Sequence, residues 1–513
     1  MKYLYGASVQ GIQNFILETN KLQEIAGGSE FVEQICTTEF KSILGDAFEG
    51  EQLIQGAAGI IRYLFEENEK ALCEEIVYNF PYKIQKQAPG IIISQAVVEI
   101  KEQLIPDHIS KLIQLLDEQR NNVQLSFLEA PMIAERSRSN GQAAVPDEKK
   151  EYLSKQQQLK RKHAKESNAL AEKIGLEKES LPMTGLDELS GKGNSKDQWL
   201  AVIHADGNSL GKLIIRANKI LNGPSADVKD FYRSFSQGLD NATKQAAQIA
   251  TNSVLGKEIE SWSDRTSENK IPIRPVLLGG DDLTVIIKAK YALEFSRKFM
   301  DAFEEKTKEL VYEKVLKRFG DFIHFQQGLT ICVGIAYIKP NYPFHYAENL
   351  AQQLCKAAKK VSKNINDECA PSSLMFHQVH SSFVGKWEDI MALELSAKDV
   401  GSFAGGPYFL KKLHGYKSIE EIQKWSAVLN ITNRDGERTS LKAQIRSLIT
   451  EYIDNTGGAR QYEIRLRQIN KKEKFEEIGF SGKSIFDEKT KTSHAWDIIK
   501  LATIQQENTV NHE

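Results

Sequence analysis

The sequence predicts an α+β protein: two ferredoxin-like βαββαβ units, a helical linker region between them, and a C-terminal α-helical domain. Three observations lead there. Short apolar, β-branched runs alternate with stretches of helical period in the order β-α-β-β-α-β. That order occurs twice. After about residue 385 the strand-like runs stop and helical patterns take over. A chain of 513 residues is also too long for one core. The expected units are 1–130, 131–195, 196–385 and 386–513.

In the first unit KYLYGA reads as a strand, VQGIQNFILETNKLQEI as a helix, LIQGAAGIIRYLF (53–65) as a hairpin, and GIIISQAVVEI (90–100) as a strand. Gly27-Gly28-Ser29 falls at the expected end of the first helix. From Arg136 to Lys196 the chain turns polar and poor in aromatics. A charged helix is expected over about 149–173, then a Gly/Ser/Lys linker at 190–196. In the second unit WLAVIHAD (199–206) is a buried strand ending in a polar turn. A helical stretch follows, then a hairpin from RPVLLGG (274–280) through GGDD to LTVIIK (283–288). An amphipathic helix, the strand LTICVGIAY (329–337) and a helix around AENLAQQLCKAAKK (347–360) complete it. In the last block Leu441, Ile445, Leu448, Ile449 and Ile453 form one helical stripe. Arg434, Arg438, Lys442, Arg446, Arg460, Arg465 and Arg467 gather around it, individually solvated and collectively suited to an acidic partner or a nucleic-acid duplex.

Composition excludes several classes. A net charge of −2 gives no global field toward nucleic acid or membrane, so such contacts must be local. The five cysteines, Cys36, Cys73, Cys332, Cys355 and Cys369, contain no Cys-x-x-Cys pair. Disulfides and a cysteine zinc site are therefore not expected. With no signal-like or membrane-spanning apolar run, a cytoplasmic protein without membrane attachment is expected.

The chemistry concentrates at the second hairpin. In GGDD, Gly279 and Gly280 permit positive φ and close approach of a phosphate. Asp281 and Asp282 cannot both avoid one small region, so their repulsion favours a cation. In a βαββαβ sheet the hairpin lies beside the first strand, which here ends at Asp206. Three hard oxygen ligands suit Mg²⁺ (or Mn²⁺) and in-line phosphoryl transfer. A plain polar turn is the competing reading of GGDD, and Asp206 tips the balance against it. Gly207 can offer its carbonyl to the metal, and Asn208 and Ser209 can touch base or ribose or simply cap a helix. Lys359 can reach triphosphate oxygens, whereas Lys356 and Lys360 read as solvated. His204 reads as a packed core histidine. The first hairpin, Gly56-Ala57-Ala58-Gly59, keeps glycines and no acid, so it cannot bind metal in the same way. Gly27, Gly28 and Ser29 either approach a second nucleotide or form a helix C-cap.

These stretches resemble the large, polymerase-like subunit of type III CRISPR effector complexes, whose two palm domains pair around ATP. The matching segments are VQGIQNFI and KLQEIAGGSEFVEQI in the first palm. In the second they are AVIHADGNSLGKL, LLGGDDLTVII, TICVGIAY and AQQLCKAAKK, with a weaker match in GGPYFLKKL (405–413). The resemblance implies a Mg²⁺-dependent nucleotidyltransferase with Asp206, Asp281 and Asp282 on the metal and Gly27, Gly28 and Ser29 bordering a nucleotide pocket. It implies a product made from ATP, a cyclic oligoadenylate or an AMP conjugate, in antiviral defence. It further implies partner subunits of a ribonucleoprotein carrying guide RNA and activated by target RNA. The chain starts at the palm, where many members carry an HD nuclease domain. PMIAERSRSNGQAAV (131–145) holds no cysteine where members often carry a zinc ribbon. A catalytically silent scaffold subunit and a stand-alone GGDEF-like cyclase are the competing readings.

Overall fold

A computed structural model describes residues 1–57, 59–122, 133–147, 150–183, 185, 187–190, 198–221, 227–264, 269–380, 385–430 and 441–506. The first palm comprises β1 (Lys2–Gln10), α1 (Ile12–Leu17), α2 (Leu22–Gln34), α3 (Phe40–Leu44), β2 (Leu53–Ala57), β3 (Ile60–Phe65), α4 (Lys70–Gln87), β4 (Ile92–Ile100) and α5 (Pro106–Asn121). Its antiparallel sheet runs β2-β3-β1-β4. Tyr5, Phe40, Tyr63 and Phe65 interlock in its core. The single helix expected from VQGIQNFILETNKLQEI is two. The strand continues to Gln10, Gly11 turns at φ 62°, and the Lys21 N–H bonds the Thr19 hydroxyl at 3.1 Å between the helices.

That break corrects the placing of Gly27-Gly28-Ser29. They lie buried within α2, not at a helix end or in a loop. What covers them is the linker region, a two-stranded ribbon of β5 (Ala144–Pro146) and β6 (Tyr152–Ser154) followed by α6 (Lys155–Glu166), α7 (Ala169–Lys173) and α8 (Asp187–Ser190). The helix expected over 149–173 thus begins at 155, where Ser154 and Gln157 form a capping box. It breaks at the extended Ser167. The 190–196 linker lies outside the described residues from 191 on. A Cβ on Gly27 would sit 1.6 Å from the Lys160 carbonyl oxygen, so glycine is what lets α6 lie directly on α2. Buried Glu24 secures this contact, accepting from Arg161 at 2.7 and 2.9 Å and from Gln157 at 3.2 Å.

The second palm contains β7 (Leu200–Gly207), α9 (Leu210–Ile220), α10 (Val228–Ser263), β8 (Ile273–Gly279), β9 (Asp282–Lys288), α11 (Ala289–Thr307), α12 (Lys317–Phe319), β10 (Ile331–Ile338), α13 (Phe344–Ile365) and β11 (Ser373–Gln378). After α14 (Trp387–Leu393) come β12 (Ser396–Ala397), β13 (Gly401–Ser402) and β14 (Tyr408–Phe409). The main sheet runs β14-β11-β10-β7-β9-β8. Its centre is β10, buried at every position. A Cβ on Gly334 would meet the Ala351 carbonyl at 1.9 Å, so α13 lies flush against the strand. Strands therefore do not stop at 385. Tyr408–Phe409 pairs with Ser373 and Leu374, a rung too short to leave a period in the sequence. The remaining elements are helices: α15 (Ile419–Val428), α16 (Leu441–Asp454), α17 (Thr456–Ile469), α18 (Lys471–Glu477) and α19 (Ala495–Gln506). The expected stripe on α16 is turned inward, with Ile445, Leu448 and Ile449 buried. Arg434 and Arg438 lie outside the described residues.

Two buried cations join the palms through the linker region. Arg274 of β8 pairs with Glu30 of α2 at 3.4 Å. Lys173 of α7 pairs with Glu33 at 2.6 Å and donates to the Leu278 carbonyl at 2.7 Å. The second hairpin is thereby braced from the first palm.

The α2–α6 contact makes a prediction. Gly27→Ala should cost about 3 kcal/mol through overpacking against backbone. Gly28→Ala meets only ordinary contacts at 3.4 Å and beyond and should fall within about 0.5 kcal/mol of the parent. Denaturant midpoints measure both, and equal effects would contradict the packing described.

Candidate active site

Asp206 sits one residue before the end of β7. Gly279 pairs with Asp282, leaving Gly280 and Asp281 as the two-residue turn, and Gly280 takes φ 61° as such a turn requires. Thr243 of α10 donates to the Gly280 carbonyl at 2.5 Å and pins the turn from outside. From inside, β7 approaches so closely that a Cβ on Gly207 would lie 2.8 Å from the Asp281 Cβ. Gly207 is thus required for steric reasons. The result brings oxygens of Asp206, Asp281 and Asp282 all within 4.8 Å of one another.

Lys359 projects from α13 into this cluster. Its ammonium lies 2.7 Å from Asp206 Oδ2 and donates to the Gly207 carbonyl at 2.5 Å. Burial, followed by the charge of Asp206, pushes the Asp281 carboxyl up to about 6. Burial and then the Asp281 and Asp206 charges push Asp282 well above its usual value. Burial works against the Lys359 charge, yet the Asp206 carboxylate more than offsets it, leaving that ammonium harder to deprotonate than usual. Three crowded acids facing one lysine lack positive charge, and hard carboxylate oxygens at this spacing fit a divalent cation.

An open cleft of about 440 Å³ adjoins the cluster, lined by Asp206, Ser209, Lys212, Asp281, Lys359 and Lys363 among others. Ser209 stands at φ 62° before α9, makes no capping bond, and leaves its buried hydroxyl unpartnered. The helix-cap reading of Ser209 is therefore overturned. Asn208 holds the corner, its N–H bonding the Thr330 carbonyl at 2.8 Å and its side-chain amide donating to Thr330 and Ala370. His204 is buried 3.1 Å from Thr284 Oγ1, and burial holds it down at about 4, so it is a neutral core residue at pH 7. Lys356 and Lys360 are exposed.

Gly27, Gly28 and Ser29 do not come to this cleft. They face α6, and the Ser29 hydroxyl donates to the Ile25 carbonyl at 2.9 Å. Sequence reasoning missed Thr243, Lys212 and Lys363. Lys363 was within reach, being one turn beyond Lys359 on the same helix. Thr243 carried no signal, because its partner lies 37 residues away.

Of the two sheet units in this chain only the second carries the acids of the turn. Residues 199–366 match the family described as Cas10/Cmr2, second palm domain. A chain in the crystal structure of a Csm1-Csm4 cassette in complex with cA4 superposes with a TM-score of 0.57 at 14% identity, covering 98% of this chain and 70% of that one. The cassette in complex with pppApA gives 0.55 at 12% identity, with 98% and 69% covered. The Csm1-Csm4 subcomplex of the type III-A CRISPR-Csm interference complex gives 0.51 at 13%, with 98% and 70% covered. No curated protein matches. Residues 199–366 are thus similar to the Cas10/Cmr2 second palm, and the chain shares its fold with the Csm1-Csm4 structures.

The crowded acids give a pH-dependent prediction. The folded pKa values of Asp281 and Asp282 lie above the unfolded carboxyl value of 3.8, so the folded state holds protons that the unfolded state releases. Stability without divalent cation therefore falls as pH rises from about 4 through 6. Replacing Asp281 and Asp282 together with Asn should raise unfolding free energy by about 2 kcal/mol at pH 8 in EDTA and by little at pH 4. Equal effects at both pH values in denaturant titrations would contradict the electrostatics described.

Proposed function

We propose that the second palm is a nucleotidyltransferase acting on ATP, in a type III CRISPR complex with guide RNA, under the control of target RNA. The observation that carries this reading is the convergence of Asp206, Asp281 and Asp282 beside a lysine-lined cleft, in the segment matching the Cas10/Cmr2 second palm. The superposing structures with cA4, pppApA and AMPPNP bear on the substrate class, since their ligands are adenylate oligomers or an ATP analogue.

The triphosphate of ATP lies in the cleft with Lys212, Lys359 and Lys363 countering its charge. The 3′-hydroxyl oxygen of an acceptor nucleotide attacks the α-phosphorus, a P–O bond forms, the bond to the β-phosphate breaks, pyrophosphate leaves, and the hydroxyl proton passes to water. Asp206, Asp281 and Asp282 would hold Mg²⁺ (or Mn²⁺), which when bound would lower the pKa of the attacking hydroxyl and neutralise the leaving charge. Lys359 exchanges Asp206 for a phosphate oxygen as nucleotide enters. Gly207 and Gly280 keep backbone close enough for the acids to reach one centre. Repetition of the step followed by ring closure yields a cyclic oligoadenylate, and transfer to a different hydroxyl acceptor yields an AMP conjugate. Loss of acids in the first palm beside their retention in the second favours an active enzyme over a silent scaffold.

The double variant Asp281→Ala, Asp282→Ala should form no product from labelled ATP and Mg²⁺, with guide and target RNA present, while melting no lower than the parent. Undiminished product from the folded variant sinks the assignment.

A further inference from the structure

The end of the second-palm sheet opposite the carboxylates carries a second charged cluster. Trp199 precedes β7, Lys339 follows β10 and His380 follows β11. The Lys339 ammonium lies 4.1 Å from the Trp199 ring centre, and the same indole is 5.6 Å from the His380 ring. His380 Nε2 is 2.5 Å from Lys500 Nζ on α19, and Lys500 in turn caps the Trp496 ring at 4.2 Å. Arg446 and Lys442 lie four residues apart on α16, which packs against α19, and the Arg446 charge acts on Lys442, Lys500 and His380. His380 and Arg446 are exposed, while Lys339, Lys442 and Lys500 are partly so.

Like charges crowded this way raise one another's energy. Burial first, and then Arg446, bring Lys442 and Lys500 down to about 8. Burial followed by Lys500, Lys339 and Arg446 brings His380 down to about 4. Glu394 and Asp497 act on Lys500 in the opposite sense without restoring it. A bound polyanion would relieve this repulsion. The cations are spread over a strand end, a loop and two helices and alternate with indole and imidazole rings. A strand of phosphates with stackable bases meets that pattern better than a single small anion does. Asp206 lies six residues along β7 from Leu200, about 20 Å away at the usual rise, so this surface is separate from the cleft.

We propose that the cluster formed by Lys339, His380, Lys442, Arg446 and Lys500 binds the phosphodiester backbone of a single-stranded RNA. The interaction is electrostatic and independent of sequence, and it places RNA on the face shared by the second palm and the C-terminal helices.

The test is fluorescence anisotropy of a labelled single-stranded RNA with the full chain over a salt series, a readout that needs no transferase activity. The parent should bind with affinity falling steeply as salt rises. Arg446→Glu with Lys442→Glu should weaken binding by about tenfold or more and flatten the salt dependence by about one unit of log–log slope for each phosphate no longer neutralised. Arg446→Lys should retain binding. Arg460→Glu, an exposed change on α17 outside the cluster, should match the parent. Isothermal titration with Mn²⁺ should give the parent's value for every variant, showing that the carboxylate site is intact. No RNA binding by the parent, unchanged affinity in the folded double variant, or equal loss in Arg460→Glu would each overturn the proposal. So would full displacement of RNA by ATP at equal phosphate concentration, which would make this a nucleotide site.

Discussion

Mutual repulsion among Asp206, Asp281 and Asp282 is the constraint around which the second palm is organised. Acids whose oxygens all lie within 4.8 Å of one another would separate if the backbone allowed it. The fold holds them from three directions. Thr243 fixes the turn at Gly280, the β7–β9 register sets Asp206 beside Asp282, and Lys359 on α13 supplies one compensating charge. The glycines carry the steric side of the same arrangement, since Gly207 leaves room for Asp281 and Gly334 lets α13 approach far enough for Lys359 to arrive. Energy stored as unfavourable charge in the free protein is returned when a cation binds, so the site exchanges stability for affinity.

The first palm shows the same scaffold without that constraint. By register, Ser8 pairs with Ile60, so these residues and Gly59 stand where the second palm has Asp206, Asp282 and Asp281. No acid remains there to require a cation. What the first palm contributes instead is bracing. Glu30 and Glu33 of α2 engage Arg274 and Lys173, and Lys173 also holds the Leu278 carbonyl, two residues before the turn.

Much of this was legible from residues alone, for identifiable reasons. Long apolar strands such as β7 and β10 and the GGDD hairpin are encoded within a few residues, so the second palm and its triad were readable in order. Features that depend on distant partners were not. Gly27 reads locally as a helix end and is in fact the point where α2 touches Lys160, more than 130 positions away. Ser209 reads as a cap and instead leaves a buried hydroxyl unpaired at a residue that lines the cleft. The strand β14 is only two residues long and leaves no periodic trace. The basic residues of the last block were visible as an excess. Their partners Lys339, His380 and Lys500 come from other segments, and only folding assembles them.

Lys359 holds a place in the carboxylate cluster that, in the proposed reaction, a metal takes when nucleotide binds. A crystal structure of the protein with Mn²⁺ and a non-hydrolysable ATP analogue, with data collected at the manganese edge, tests this most directly. The account predicts an anomalous peak bonded to Asp206, Asp281 and Asp282, with the Lys359 ammonium moved from Asp206 to a phosphate oxygen. Nucleotide bound in the cleft with no manganese at the three acids and Lys359 still on Asp206 would contradict it.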